Sequence, residues 1–231
     1  MNIEILHLLD GARQSTGLTV IIDVFRAFST ACYVFARGAS RIIPVGDLAL
    51  AYSLKEKNPE FLLVGERQGQ KPAGFDYGNS PTEIEAVDFT NRTVIQTTSA
   101  GTQGIANAHK ADEIITGSFV NAVAIVSYIR SKDPRQVSLV CMGQEAGEPS
   151  DEDTLCAHFI KNSLAGKQTD FEVIRSHLRG YHSAAKFFDP GKPWAPERDF
   201  ELCLDLGRFY FVLVNRVDTE GHPYLQKIDV L

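Results

Sequence analysis

The segment LTVIIDV, from Leu18 to Val24, decides the fold class. It is a continuous run of aliphatic and β-branched residues behind Gly17, which is typical of a strand buried on both faces of a sheet. The segment 25–37 that follows has the pattern of a helix, and Gly38 is a suitable residue for its end. The chain therefore opens with a buried strand that leads into a helix, as α/β proteins do.

The same alternation of strand, loop and helix repeats along most of the chain. Apolar runs predict strands at residues 3–8, 41–45, 61–65, 93–97, 113–116, 137–142, 209–214 and 225–231. Amphipathic runs predict helices at 47–57, 80–83, 100–109, 121–132, 151–164, 171–178 and 182–188. We expect the first strand, 3–8, to run antiparallel to 18–24. This order predicts an α/β sheet, mostly parallel or mixed, that is covered by helices on both faces, and no linker divides residues 1–231 into two domains.

Composition and charge exclude several classes of protein. The chain has 231 residues, 44% of them hydrophobic, and a net charge of −6, so it lacks the basic surface that binds nucleic acid. Its apolar runs are too short to span a bilayer, and no basic and apolar leader opens it. The four cysteines have no close pair, which suits reduced thiols. We expect a cytoplasmic protein without nucleic-acid or membrane partners. The apolar segment 209–214 suits an interior or a subunit interface, so a homo-oligomer is an open alternative.

Polar residues cluster in the loops that follow four of the predicted strands. Ligands of open α/β sheets bind beyond the carboxyl ends of the strands, so we treat these loop residues as one set. The predicted catalytic residues are Asp23, Arg26, Glu66 and Arg67. The predicted substrate-binding residues are Asn79, Thr98, Ser99, Gly101 and Thr102. The predicted metal ligands are Asp23, Glu66, Asp76, Glu152 and Asp153.

Each type of residue in this set suits the binding of a phosphorylated molecule. Carboxylates are the hard oxygen ligands that Mg²⁺ takes, and arginines bind phosphate or carboxylate oxygens. The segment 97–102 supplies hydroxyls and a glycine at the start of a predicted helix, where free backbone N–H groups and the helix dipole favour the binding of an anion. Taken singly, these residues have structural alternatives: Ser99 can cap a helix, and Asp23 can be a hydrogen-bonded buried acid. Burial of even a neutral polar group without a partner costs roughly 2–7 kcal/mol, which favours a functional Asp23.

These segments resemble the 2-phosphosulfolactate phosphatase family. The resemblance lies in IDVFRA (22–27), GER (65–67), GFDYGNSP (74–81), the segment 97–102 and SDED (150–153), and it is strong over residues 1–165. It implies a three-layer α/β/α sandwich and a Mg²⁺-dependent phosphatase. The implied reaction converts 2-phospho-3-sulfolactate, the phosphate ester of a 2-hydroxy acid, to 3-sulfolactate and phosphate. In methanogens this step belongs to coenzyme M synthesis.

The chain departs from the family pattern at three places. Gln68 replaces a glycine after Arg67, Ala100 replaces an asparagine, and segment 25–30 differs. The implied reaction class is therefore firmer than the implied substrate. Two alternatives stay open: a non-catalytic protein that binds a phosphorylated metabolite, and a metal-dependent hydrolase of another substrate. Which acids bind the metal, and whether a carboxylate or a water attacks phosphorus, also stay open.

Overall fold

A computed structural model describes residues 1–230. Its strands are β1 (Asn2–His7), β2 (Gly17–Ile22), β3 (Arg41–Pro44), β4 (Leu62–Gly65), β5 (Thr93–Thr97), β6 (Ala111–Gly117), β7 (Gln136–Cys141), β8 (Phe211–Val217) and β9 (Pro223–Asp229). Its α-helices are α1 (Leu8–Gln14), α2 (Ala27–Ala36), α3 (Leu48–Lys57), α4 (Pro81–Ile84), α5 (Gly101–Asn107), α6 (Ala122–Lys132), α7 (Asp151–Leu164), α8 (Phe171–Arg179) and α9 (Glu197–Cys203). Two 3₁₀ segments span Phe119–Asn121 and His182–Phe188.

All of these strands belong to one mixed sheet, with the order β1-β7-β2-β6-β8-β9-β3-β5-β4. Two parallel blocks, β1-β7-β2-β6 and β3-β5-β4, are joined by the antiparallel hairpin of β8 and β9. The hairpin also pairs antiparallel with β6 and with β3. The prediction of a mostly parallel or mixed sheet is confirmed.

The loops after β2 and β5 meet although the hairpin separates the two parallel blocks. Gln96, in β5, donates a hydrogen bond from Nε2 to the carbonyl oxygen of Ala27, the first residue of α2, at 2.9 Å. The carboxyl ends of both blocks therefore contribute to the same region.

Helices cover both faces of the sheet, as the pattern of buried residues in β2 shows. Val20 and Ile22 pack into a core with α6 and α7, whereas Ile21 packs into a second core with α2 and α5. Because successive side chains of a strand point to opposite faces, a strand that is apolar at every position lies between two layers. The structure is thus a three-layer α/β/α sandwich, as expected.

Several local signals in the sequence are confirmed by the helix ends. Asp47 caps α3 by accepting a hydrogen bond from Leu50 N at 2.7 Å, and Ser80 accepts one from Glu83 N at 3.3 Å at the start of α4. Gly38, just after α2, has a φ of +98°, which glycine adopts without strain. Helix α7 has the predicted bounds.

Other expectations about the fold are wrong. Strand β1 pairs parallel with β7, which lies between β1 and β2, so it is not antiparallel to β2. Helices α1 and α9 were not predicted, and the segment 182–188 is a 3₁₀ helix. Strand β1 can run parallel because α1 turns the chain over between β1 and β2, where a hairpin would have forced the opposite direction. The last predicted strand residue, Leu231, lies outside the described residues.

No helix in residues 1–230 combines the length and the apolar character needed to cross a membrane. The four cysteines are all buried free thiols, as the sequence predicted.

Candidate active site

A cavity of about 260 Å³ opens where the loops after β2, β4, β5 and β7 face the 3₁₀ segment His182–Phe188 and the loop before α9. Seven of the predicted site residues line this cavity. Those in the lining are Asp23, Arg26, Glu66, Asn79, Ser99, Glu152 and Asp153. The cavity therefore lies where the sequence placed it, beyond the carboxyl ends of parallel strands.

Asp23 lies at the centre of this arrangement, between the beginnings of α2 and α5. Its Oδ1 accepts a hydrogen bond from Ala27 N at 3.1 Å. A Cβ atom on Gly101 would lie 3.0 Å from Asp23 Oδ2, so glycine at that position allows α5 to begin against the carboxylate. Burial raises the pKa of Asp23 to about 7, and the negative charges of Glu66 and Glu152 act in the same direction.

Asp153 and Glu152, in the first turn of α7, bring two further carboxylates to the cavity. Asp153 accepts hydrogen bonds from Val24 N on Oδ1 and from Gly143 N on Oδ2, both at 2.8 Å. Burial raises the pKa of Asp153 well above its usual range, and the charges of Asp23 and Glu152 raise it further. Asp153 thus ties the loop after β2 to the loop after β7 and holds both beside the cavity.

Glu66 fixes the loop that enters α5. Its Oε1 accepts a hydrogen bond from Ser99 N at 2.7 Å, and its Oε2 accepts one from Gly69 N at 2.7 Å and one from Ser99 Oγ at 3.2 Å. The preceding Gly65 has a φ of +155°, and a Cβ there would collide with Thr97 O. Ser99 belongs to the segment 97–102, which the sequence predicted to bind an anion. Its backbone N–H group is instead hydrogen-bonded to the Glu66 carboxylate.

Arg26 provides a buried cation with a buried counter-charge. Its Nη1 donates to Asp199 Oδ2 and to the carbonyl oxygen of Trp194, both at 2.7 Å, and its Nη2 donates to Gly69 O at 3.2 Å. The Arg26 side chain is 3% exposed and that of Asp199 is 0% exposed. The peptide bond between Phe25 and Arg26 is cis. Three acceptors from separate parts of the chain therefore hold the guanidinium at the cavity wall.

Lys186, in the 3₁₀ segment, lines the cavity beside Arg26. It is half-buried and its Nζ donates to Phe25 O at 3.3 Å. Burial lowers the pKa of Lys186, and the positive charge of Arg26 lowers it further. In the same segment Ser183 Oγ donates to Glu152 Oε2 at 2.6 Å, so this segment closes the cavity over the acids of α7.

Several predicted site residues lie outside the cavity lining. Arg67 donates to Glu66 O, Gly46 O and Thr97 Oγ1, and so it supports the loop from behind. Asp76 accepts from Leu63 N at 2.8 Å and lies 3.7 Å from Lys55 Nζ. Neither of these two side chains lines the cavity.

Thr98 and Thr102 are buried and hydrogen-bond to each other at the start of α5. Thr102 N donates to Thr98 Oγ1 at 3.2 Å, and Thr102 Oγ1 donates to Thr98 O at 3.0 Å. Asn79, by contrast, lines the cavity, and its buried Oδ1 has no hydrogen-bond partner in residues 1–230. Of the predicted substrate-binding residues, Asn79 and Ser99 lie in the lining and Gly101 lies directly behind Asp23.

The sequence patterns did not single out Asp199, which holds Arg26, or the lining residues His182, Ser183, Lys186 and Trp194. Asp199 had a detectable signal, because a proline followed by acidic residues, as in PERD at 196–199, marks a helix start. Lys186 had none, since its place depends on how the 3₁₀ segment folds over the sheet.

The acids do not form a complete metal cage. Within the described residues, no three His, Cys, Asp or Glu side chains are grouped closely enough to hold a metal ion by themselves. Asp23 Oδ2 and Glu152 Oε1 accept no hydrogen bond from residues 1–230, whereas both oxygens of Asp153 and of Glu66 accept hydrogen bonds from the protein. The cavity thus combines buried acids that have unused oxygen atoms with a wall that carries Arg26 and Lys186.

Comparisons with known proteins agree with this arrangement. The family model for 2-phosphosulpholactate phosphatase matches residues 4–188. A probable 2-phosphosulfolactate phosphatase of Thermotoga petrophila is 44% identical over 215 residues, which cover 86% of this chain and 89% of that relative. One from Bacillus subtilis is 32% identical over 215 residues, covering 91% and 92%. One from Thermoplasma acidophilum is 34% identical over 201 residues, covering 86% and 87%.

The α/β/α fold, the acid and arginine cavity and these matches together define a phosphatase, that is, a hydrolase of phosphoric monoesters. Within this class, the chain belongs to the 2-phosphosulfolactate phosphatase family. The resemblance noted from the sequence is thereby confirmed.

Proposed function

We propose that this phosphatase hydrolyses 2-phospho-3-sulfolactate to 3-sulfolactate and phosphate, and that it requires Mg²⁺. The observation that carries the proposal is the convergence of Asp23, Glu152 and Arg26 in one cavity of a chain that belongs to this family. The names of the relatives supply the substrate. In the reaction a P–O bond to the hydroxy acid breaks, and an oxygen atom from water ends in the released phosphate.

The acids of the cavity fit a magnesium ion. Mg²⁺ commonly takes one or two protein carboxylates and completes its six ligands with waters and substrate phosphate oxygens, so it does not need a protein cage. Asp23 Oδ2 and Glu152 Oε1 are the carboxylate oxygens without a hydrogen bond in residues 1–230, and we infer that they hold the ion. Burial and the charges of Glu66 and Glu152 raise the pKa of Asp23, and a divalent cation beside it would favour its carboxylate form. When bound, the ion would draw charge from the phosphoryl oxygens.

The other residues of the site bind and orient. Arg26 is fixed by Asp199, so its guanidinium can meet phosphoryl oxygens without losing side-chain freedom on binding. Asp153 and Glu66 hold the loops in place through backbone N–H groups. The buried amide of Asn79 has an unused acceptor, and we infer that it contacts a hydroxyl or water of the bound substrate.

The test is phosphate release from synthetic 2-phospho-3-sulfolactate by purified protein, with Mg²⁺ and after chelation. We expect release that chelator abolishes and added Mg²⁺ restores. Absence of release contradicts the substrate, and release that is indifferent to chelator contradicts the metal.

A matched pair of variants tests whether the metal binds in the cavity. Asp23→Asn removes a carboxylate from the proposed ligands, while Asp76→Asn removes one that lies beside Lys55 and outside the cavity lining. We expect the first variant to lose Mg²⁺-dependent release by about 100-fold or more, as loss of a metal ligand does. The second should keep activity within a few-fold of the unmodified protein.

A further inference from the structure

The cations of the cavity wall differ in how far their charges are balanced. Arg26 is paired with Asp199 at 2.7 Å. Lys192, which also lines the cavity, is 44% exposed and lies 3.6 Å from Asp189. Lys186 lies deeper than Lys192 and forms no ion pair with any residue in 1–230. Lys186 is thus the half-buried cation of this wall that forms no ion pair in residues 1–230, and the acids whose charges act on it, Glu152 and Asp23, are the two assigned to the metal.

The contacts of Lys186 leave most of its hydrogen-bonding capacity unused. One of the three N–H donors on Nζ is directed to Phe25 O at 3.3 Å. The aliphatic part and the ammonium group lie against aromatic rings, with Nζ 6.0 Å from the ring centre of Phe25 and 5.2 Å from that of Phe187. Such rings stabilise a cation weakly and do not replace an anion. When Glu152 and Asp23 hold the ion, their charges no longer balance Lys186, and an anionic ligand in the cavity would then do so.

The number of charges on the proposed substrate requires more than one cation at the wall. A phosphorylated sulfo-hydroxy acid carries a phosphate, a carboxylate and a sulfonate, so one anionic group reacts and two do not. We assigned the reacting phosphoryl group to Arg26 and to the ion held by Asp23 and Glu152. The anionic groups that do not react need a different cation, and Lys186 adjoins Arg26 from another segment of the chain.

We propose that Lys186 forms a second anion subsite, which binds a carboxylate or sulfonate group of the substrate and selects phosphate esters that carry such a group. The assignment rests on the proposed function, because it takes the reacting phosphate to lie at Arg26. It makes Lys186 a residue for specificity, which the sequence patterns did not indicate.

The test compares Lys186→Met with the control Lys227→Gln on two substrates; Lys227 is exposed, pairs with Asp229 at 3.1 Å and lies outside the cavity lining. Methionine keeps the length of the side chain and removes the charge. One substrate is 2-phospho-3-sulfolactate, and the other is isopropyl phosphate, an ester of a secondary alcohol without an acid group. We expect Lys186→Met to lower kcat/KM for the first by about 10- to 100-fold, through KM, and to change the second less than about threefold. The control should change both less than about threefold, since its charge is exposed and already paired.

A binding measurement separates this proposal from the proposed reaction. Trp194 is the single tryptophan of the chain and lines the cavity, so its fluorescence can follow the binding of 3-sulfolactate without turnover. We expect the variant to bind 3-sulfolactate at least about tenfold more weakly and to bind inorganic phosphate as the unmodified protein does. If the unmodified protein binds 3-sulfolactate more tightly than Lys186→Met does but releases no phosphate, the proposed reaction is wrong and the subsite stands.

Two results would overturn the subsite. One is equal binding of 3-sulfolactate by Lys186→Met and the unmodified protein. The other is an equal loss of kcat/KM on both substrates, which would place Lys186 at the phosphoryl group. Lys186→Gln, checked by thermal unfolding, repeats each measurement in case the methionine variant folds poorly.

Discussion

Arg26 Nη1 lies 2.7 Å from Asp199 Oδ2, and the two residues are 173 positions apart in the chain. Asp199 also accepts hydrogen bonds from Ser80 Oγ at 2.8 Å and from Thr82 N at 2.9 Å. Asp199 is fully buried and belongs to α9. Its carboxylate therefore connects α9 both to Arg26 in the cavity wall and to the segment that follows Asn79. This connection explains how an arginine can remain charged and immobile beside a group of acids.

We expect Asp199→Asn to lower both stability and catalysis. The variant leaves Arg26 buried without its counter-charge, and breaking a buried pair in this way costs about 3–5 kcal/mol. Urea unfolding measures this loss. Under conditions where the variant is fully folded, KM should rise more than kcat falls, because a misplaced guanidinium binds the substrate less well. Unchanged kinetics in the folded variant would show that Asp199 serves the fold alone.

The control for this prediction is Asp205→Asn. Asp205 pairs with Arg208 at 3.2 Å, but both side chains are about half exposed. Exposed pairs contribute about 0–1 kcal/mol, so the control should unfold near the urea concentration of the unmodified protein.

Asp23→Asn should make the metal-free protein more stable at alkaline pH while abolishing activity. The pKa of Asp23 is about 7 in the folded protein, against 3.8 for the ordinary group. Between these values the folded protein keeps a proton that the unfolded chain releases, so the contribution of Asp23 to stability falls as pH rises from about 4 to about 7. At pH 8 in chelator, the variant should exceed the unmodified protein by at least about 1 kcal/mol.

Denaturant unfolding at pH 5 and at pH 8 measures this difference. From pH 5 to pH 8, the unfolding free energy of Asp23→Asn should fall less than that of the unmodified protein. Asp10→Asn, whose side chain is 83% exposed, should leave the drop unchanged. Parallel pH dependence in all three proteins would contradict a strained, buried Asp23 carboxylate.

Magnesium should reverse the instability that Asp23 causes. A ligand that binds only the folded state stabilises it in proportion to the logarithm of its concentration over Kd. Adding Mg²⁺ at pH 8 should therefore raise the Tm of the unmodified protein and of Asp76→Asn, and raise it much less in Asp23→Asn and Glu152→Gln. A Tm that rises equally in all four proteins would place the ion elsewhere.

Gly101→Ala should damage the site more than its helix position suggests. Alanine in place of glycine usually stabilises a helix by up to about 1 kcal/mol. Here the new Cβ would lie 2.9 Å from Ala27 Cβ and 3.0 Å from Asp23 Oδ2, so α5 or the carboxylate must move. We expect a loss of about 1–3 kcal/mol in stability and a loss of at least about tenfold in kcat/KM.

Gly180→Ala provides the comparison for Gly101. Gly180 ends α8 with a φ of −90°, and a Cβ there would meet only His177 O at 3.7 Å. This variant should keep both stability and activity. If Gly101→Ala behaves in the same way, the contact between α5 and Asp23 is not essential to the site.

Most of the strands and helices could be predicted because their signals are local. Strand β2 is apolar at nearly every position, and α7 begins after Ser150 with three acids in its first turn. Such periodicity and capping depend on residues within a few positions of one another. The direction of β1 could not be predicted in this way, because it depends on which strand β1 pairs with, and that partner, β7, is more than 130 residues away.

The site was predicted in part for the same reason. Asp23 directly follows β2, and Glu152 and Asp153 lie in the first turn of the helix after β7; parallel strands deliver such residues to one edge of a sheet. Arg67 and Asp76 share the same loop but point to other partners, Gly46 O and Leu63 N. Residue type and spacing do not distinguish a side chain that faces the cavity from one that supports the loop.

The sequence by itself determined the class of fold, the family and the acids that gather at the carboxyl ends of the strands, because these follow from local patterns and from motifs such as GFDYGNSP at 74–81. Only the tertiary structure decided that Asp199 holds Arg26, and that Lys186 lies in the same wall without an ion pair in residues 1–230. The physical reason is that buried charges are balanced by whatever packing brings within a few ångströms. For Arg26 and Asp199 that packing joins residues 173 positions apart in the chain.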